Sequence, residues 1–412
     1  SARSSAANHV LMTAPAEPEA EPGEERVSTL ELFFDLVFVF AFTQITGTIS
    51  HEPTGEALGH GVLVFAVLWW AWGAYAWLTN TVRTGEVAPR VVVLGAMAAM
   101  LITALAVPTA FGDGGPAFAL GYLVVMVLHA ALFVLAGENP ETTRRAITRL
   151  SLTNIPAALA LVAAAYADGT AQTVLWVAAV AVSYAGPYIT GVAGFTVHPG
   201  HFVERHGLVV IIALGESIVA IGAGSDEITL DWSLAGVGLV VIALVIGLWW
   251  AYFDEEAAAS EHALVTATGP ERARLARDVY SYLHIPLVLG VVLSAVGIHE
   301  ALAHPSDPLD PVVAGALGAG VAMFFAALVA IRLRRRARPT VLCPLAAVGA
   351  LAMIPVASEI GAAWSFVVLA LVALGAAVGE RLVADAARRR HGGHGGPGGP
   401  GERGAPAAPA AG

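Results

Sequence analysis

Glu216 lies in the run Ile211-Ile212-Ala213-Leu214-Gly215-Glu216-Ser217-Ile218-Val219, with no basic neighbour. A carboxylate in so apolar a stretch must be protonated, hydrated or paired, which suits proton exchange. Arg205 shares its helix face, but eleven residues at 1.5 Å each place it about 16 Å away. The partner of Glu216 is therefore expected on another helix, unless the acid holds a proton. Two further acids, Glu31 and Asp35, sit in Ser28-Thr29-Leu30-Glu31-Leu32-Phe33-Phe34-Asp35-Leu36-Val37-Phe38-Val39-Phe40. At about 100° per residue, Glu31, Asp35, Phe38, Phe42 and Thr46 form one stripe. Asp35 is expected to face a bundle interior as a proton carrier, cation site or substrate hook, or as half of an ion pair that only orients helices. Glu31 falls in a first turn, where Ser28 or Thr29 caps the helix and the dipole favours a carboxylate.

The histidines add proton chemistry. In His198-Pro-Gly-His201-Phe-Val-Glu204-Arg205-His206, His201 and Glu204 have the i, i+3 spacing of metal ligands. A third ligand is missing, and a solvated helix start has the same composition, so no metal is expected. His129 and His284 fall inside apolar runs, His284 beside Tyr280 and Tyr282; each reads either as a proton relay or as a neutral ring bonded to a neighbouring helix. His299 and His304 are five apart and miss the four-residue spacing of a zinc protease. No glycine-rich phosphate loop, serine elbow or nucleic-acid stripe is present, so neither a cofactor nor a nucleic-acid partner is expected. The candidate set is Glu216 and Asp35 as proton carriers or acids, with Glu31, Glu204, Arg205, His284, His129, Trp70 and Trp250 binding substrate.

The elements that must position these residues are membrane helices. Of 412 residues, 57% are hydrophobic and 13% charged, with mean hydropathy +0.72. Soluble domains carry about 25% charged residues. Apolar runs of about 20 residues match the hydrocarbon core. Such runs must be helical, because lipid offers backbone groups no hydrogen bonds. Spans are predicted near 30–50, 57–79, 91–111, 117–137, 148–167, 172–195, 203–223, 232–253, 279–299, 311–331, 341–358 and 361–382, the fifth interrupted by Asn154 and Pro156. The expected fold is an all-α polytopic bundle of about twelve transmembrane helices.

All 21 basic residues are arginines, and they fall at the ends and in alternate loops. Loops 51–56, 112–116, 168–171, 224–231 and 300–310 and the turn near Glu359 contain none. By the positive-inside rule, the arginine side and both termini are cytoplasmic. No signal peptide is expected; the chain opens at Ser1, so either Met12 is the native start or a tag was processed. The expected organisation is a disordered acidic segment 1–28, membrane halves 29–195 and 196–385, and a disordered Gly/Pro/His tail 386–412. Cys343 stands alone, excluding an intramolecular disulfide, and reads as structural.

Trp69-Trp70-Ala71-Trp72 in the second span is echoed by Trp249-Trp250-Ala251-Tyr252 in the eighth, and the first and seventh spans open on Glu31 and Glu204. The echo reads either as a six-plus-six duplication, with a substrate site between the halves, or as the interfacial preference of tryptophan.

Four segments carry a family resemblance: Leu30 to Phe40, His201-Phe-Val-Glu204-Arg205-His206-Gly207, Leu214-Gly215-Glu216-Ser217-Ile218 and Tyr280-Ser281-Tyr282-Leu283-His284. Through them the sequence resembles the bacterial low temperature requirement A family over about residues 27–385. The resemblance implies a multispanning membrane protein with Glu31, Asp35, Glu204, Arg205, Glu216 and His284 as its polar signature, and no particular reaction. Three functions stay open: a proton-coupled transporter of a small solute, an intramembrane enzyme using acid chemistry on a lipidic or isoprenoid substrate, and a membrane stress scaffold or sensor. The composition suggests a GC-rich bacterial genome. The expected location is the bacterial inner membrane, with lipids and a small-molecule or lipidic substrate as partners; oligomeric state is left open.

Overall fold

The computed structural model describes residues 27–81, 87–136, 140–192, 195–224, 232–254, 256–337 and 340–392. Most of both expected disordered ends, with Arg83 and Arg338, lies outside the described residues. Helices α1 (Thr29–His51), α2 (Gly55–Thr79), α3 (Val87–Leu105), α4 (Gly115–Ala136), α5 (Pro140–Ala164), α6 (Gly169–Ile189), α7 (Pro199–Gly224) and α8 (Trp232–Phe253) follow one another through short connections. Then come α9 (Glu256–Thr266), α10 (Gly269–Leu275), a π-helical stretch (Ala276–Leu283), α11 (His284–Ala295), α12 (Ile298–Ala303), α13 (Pro311–Arg334), α14 (Leu342–Ala357) and α15 (Ala362–Gly392). α15 makes the first residues of the expected tail, 386–392, helical. Pro156 lies within an unbroken α5, so the interruption expected there does not occur.

Among the described residues, eleven stretches are long and apolar enough to cross a membrane. The predicted span 341–358 forms α14, which is apolar but has 16 residues. At 1.5 Å per residue it reaches about 24 Å, less than the hydrocarbon thickness. Large apolar side chains point outward, including Leu36, Leu105, Leu239, Leu345 and Leu371. Exposure on this scale is unfavourable in water and natural against lipid tails.

The chain divides into two compact units that interleave in sequence. The first takes the described parts of Ser1–Ala41, Ala66–Ile212 and Glu261–Tyr280. In it α3 packs on α4, α4 on α5 and α5 on α6. Small residues set these distances: a Cβ on Gly121 of α4 would fall 2.4 Å from Thr103 Oγ1 and 3.0 Å from the Ala99 carbonyl.

The second unit takes Phe42–Phe65, Ala213–Ser260 and the described part of Ser281–Gly412. There α11 packs on α13, α13 on α14, α14 on α15 and α15 on α8. α11 and α13 meet backbone to backbone, since a Cβ on Gly290 would lie 2.5 Å from the Gly320 carbonyl, and the reverse is 2.6 Å. Ser294 and Ala316, one turn away on each helix, continue the small-residue seam by which membrane helices approach closely. Arg332, counted among the loop arginines, lies within α13 and bonds Glu256 at 2.8 Å and Glu380 at 2.9 Å. Arg335 also pairs with Glu256, and Cys343 Sγ stands 3.3 Å from Glu380. This buried network ties α9, α13, α14 and α15 together.

Candidate functional site

In the first unit, α1 begins with a capping box. Ser28 Oγ faces the Glu31 N–H at 3.4 Å, while the Ser28 N–H and hydroxyl donate to Glu31 Oε2 at 2.8 and 2.9 Å. This satisfies backbone donors that a helix start leaves open. It also fixes the Glu31 side chain, so the expected structural role is real. Glu31 nevertheless belongs to a larger cluster: His201 Nε2 lies 3.2 Å from its Oε2, and Arg205 Nη1 lies 3.0 Å from its Oε1.

One helical turn on, Asp35 is fully buried and faces inward as expected. Its Oδ1 accepts from Arg205 Nη2 at 2.8 Å and from Trp72 Nε1 at 2.9 Å. Its Oδ2 has no hydrogen-bond partner among the described residues. Arg205 is expected near the solvated start of the seventh span, but α7 starts at Pro199 and carries it inside, 1% exposed. One guanidinium thus bridges two carboxylates from the same face of α1. Asn80, just past the end of α2, accepts from the His198 N–H at 2.8 Å and donates to the His198 carbonyl at 3.0 Å. Its amide nitrogen also lies 3.2 Å from His201 Nδ1. His206 donates from Nδ1 to the Phe202 carbonyl, and its ring packs 4.9 Å from Trp72 and 5.0 Å from Tyr280.

In the second unit, Glu216 is 0% exposed. Its partners are hydroxyls of α1: Thr43 donates to Oε2 at 2.6 Å, and Thr46 Oγ1 lies 2.7 Å from Oε1. Thr46 Oγ1 is also 3.2 Å from the Phe42 carbonyl and 3.1 Å from the Thr43 carbonyl. These partners of Glu216 come from another helix and are neutral.

The remaining candidates sit elsewhere. Tyr252 hydroxyl lies 2.9 Å from His284 Nε2, within the second unit. His129 Nε2 lies 3.0 Å from the Ala74 carbonyl, between the rings of Tyr75 and Phe133, so it bonds a neighbouring helix. Trp70 Nε1 donates to Asn154 at 3.1 Å. Trp250 is half-buried on α8. Glu204 is exposed and accepts from the Val27 N–H at 3.1 Å, so the i, i+3 spacing does not join it to His201 in a ligand pair. Among the described residues, no group of three or more His, Cys, Asp or Glu could hold a metal.

This polar set lies within a stretch of chain that matches a known family. Residues 26–378 match the family described as bacterial low temperature requirement A protein. The chain belongs to this family. As a member of the low temperature requirement A family it is a multi-pass membrane protein, and the match spans every residue of both carboxylate sites. It is also similar to an uncharacterized protein of Rhizobium meliloti (strain 1021), 29% identical over 299 residues, covering 68% of this chain and 71% of that one. No solved structure matches.

Sequence reasoning passed over Thr43, Asn80 and Glu256, and read Asn154 only as a break in a span. Each is a polar residue in or beside an apolar run, a signal in principle. Side-chain hydroxyls and amides are cheap enough in a helix to occur without a partner role, so their type alone does not separate them from background.

Proposed function

We propose that the chain is a proton-coupled transporter of a small solute, with Glu216 exchanging the proton and the Asp35–Arg205 pair gating the cytoplasmic side. The reading places both termini in the cytoplasm and the protein in the bacterial inner membrane, with lipids and a small solute as its partners. The observation that carries it is the hydrogen-bond count at Thr46. One hydroxyl proton faces three acceptors: Glu216 Oε1 at 2.7 Å and the Phe42 and Thr43 carbonyls at 3.2 and 3.1 Å. A proton on Glu216 Oε1 resolves this, because Glu216 then donates to Thr46 Oγ1 and Thr46 donates to a backbone carbonyl. Thr43 completes the set by donating to Oε2. Such a carboxyl is uncharged, which the surrounding low dielectric favours, and its loss of the proton must be coupled to a change in what surrounds it.

Two further features support the reading. Arg205 holds acids of α1 and sits nearly two helical turns inside α7, so parting the pair requires movement of one helix against the other. Trp72 bonds Asp35 through its ring nitrogen, and Tyr252, its counterpart in the echoed Trp motif, contacts His284. In each motif the last aromatic orients a buried titratable side chain, but on helices that a six-plus-six repeat would not equate. The support is therefore for proton-carrying groups and not for a duplication.

The test is proton movement in proteoliposomes loaded with a pH-sensitive dye and challenged with a panel of small solutes. Solute-dependent proton flux is expected in the wild type and is abolished in Glu216→Gln. Product formation without net flux, or full flux in Glu216→Gln, overturns the reading.

A further inference from the structure

The Glu31–Asp35–Arg205 cluster contains two carboxylates and one guanidinium, so it carries one negative charge too many unless a proton or a second cation joins it. His201 is the neighbour expected to supply that charge, since Nε2 lies 3.0 Å from Glu31 Oε1. Its other nitrogen decides the matter. The orientation of the Asn80 amide is fixed by His198: the oxygen accepts from the His198 N–H, and the nitrogen donates to the His198 carbonyl. The NH2 group of Asn80 is therefore the group that faces His201 Nδ1 at 3.2 Å. An N–H aimed at Nδ1 needs a lone pair there, and an imidazolium has none. His201 then carries its single proton on Nε2 and donates it to Glu31 as a neutral ring.

We propose that Asn80 is the positioning residue that keeps His201 neutral and so leaves the cluster's extra proton on Asp35. Glu31 is the acid that stays ionised. Its Oε2 accepts from the backbone and hydroxyl of Ser28 and from His201. Its Oε1 makes no hydrogen bond among the described residues but lies 3.0 Å from both Arg205 Nη1 and His201 Nε2, two positive or donor groups that Asp35 Oδ2 lacks. Asp35 offers only Oδ1 to donors, from Arg205 and Trp72, and Oδ2 is buried without a partner among the described residues. A proton on Oδ2 leaves a balanced Glu31–Arg205 pair and no net charge in the apolar interior. Two acids sharing one cation routinely divide in this way, one ionised and one not. The titratable groups around Asp35 are Glu31 of α1, His201, Arg205 and His206 of α7, and Tyr280 of the π-helical stretch. The inference deepens the reading of α1 and α7 as carriers of exchangeable protons, and it adds a second protonated acid to Glu216.

The test reads protonation without transport, so its failure is distinguishable from failure of the transport reading. Infrared spectra of the full chain in lipid nanodiscs report un-ionised carboxylic acids by their carbonyl stretch. Asp35→Asn is expected to remove one such band and Glu216→Gln another. Asn80→Leu, which touches neither acid, frees Nδ1 to take a proton; His201 becomes the second cation and the Asp35 band is lost. In the double variant Asn80→Leu with His201→Gln the band returns, because an amide in place of the imidazole cannot be charged. On the wild-type protein, nitrogen NMR of labelled histidine is expected to show His201 as the neutral Nε2–H tautomer. An imidazolium in the wild type overturns the proposal, as does an Asp35 band that survives Asn80→Leu or is absent from the start.

Discussion

Around Asp35 and Glu31 the donors are a guanidinium, an imidazole, an indole and a helix-capping serine. Around Glu216 the described hydrogen-bond partners are two threonine hydroxyls. The same two helices supply both sets: α1 gives Glu31 and Asp35 to one and Thr43 and Thr46 to the other, and α7 gives Arg205 and Glu216. Carboxylates away from water are thus handled in two ways. The first site answers its two acids with one cation of the facing helix, which holds the helices together, while Asp35 Oδ2 and Glu31 Oε1 make no hydrogen bond among the described residues. The second surrounds its acid with neutral hydroxyls, so under the proposed reading no ion pair must part for Glu216 to exchange a proton. Burial alone does not distinguish the two sites; the charge of the partners does.

The sharpest way to break this contrast is to remove the cation. Arg205→Leu leaves the acids of α1 without their cation, and losing one partner of a buried pair costs about 3–5 kcal/mol. Thermal unfolding in detergent should show a large drop, or no folded protein at all. Wild-type stability in this variant would mean that the ion pair does not hold the site. Thr46→Val probes the other side. Glu216 keeps one hydroxyl from Thr43, so the expected cost is about 1–3 kcal/mol, the range for a buried hydrogen bond left unmade. A loss as large as that of Arg205→Leu would show Glu216 to be charged and dependent on its hydroxyls. The smallest effect is expected from Ser28→Ala, which removes a cap and a donor to Glu31 while leaving Arg205 and His201 in place. Its cost is about 1 kcal/mol. A much greater loss in the same melting assay would move Glu31 from satisfied acid to strained one.

Much of this was legible in the residues. The stripe of Glu31, Asp35, Phe38, Phe42 and Thr46 is buried throughout, as its spacing requires. The capping role of Ser28 follows from Ser-x-x-Glu at a helix start. Arg205 was legible as a candidate at the start of the seventh span, but that position reads equally as a solvated helix start; the start of α7 at Pro199 and the packing against α1 put it inside. Arg332 was hidden by its place in an arginine run. Asn80 was invisible because it lies at a helix end, where a polar amide is unremarkable, and its effect depends on which way that amide is turned.

Apolar length, helical period and the distribution of arginines are local properties of the chain, set by hydration of side chains and by the backbone's need for hydrogen bonds in lipid. By themselves they determined an all-α polytopic membrane protein and the inward face of α1. The partner of each buried acid is a different kind of fact. Asp35 meets Arg205, and Glu216 meets Thr46, across 170 residues of sequence. No periodicity reports such a pairing, because it arises only when helices pack and the cost of an unpaired carboxylate selects the donor that packing brings within about 3 Å. Tertiary structure alone decided that one acid would find a charge and the other a pair of hydroxyls.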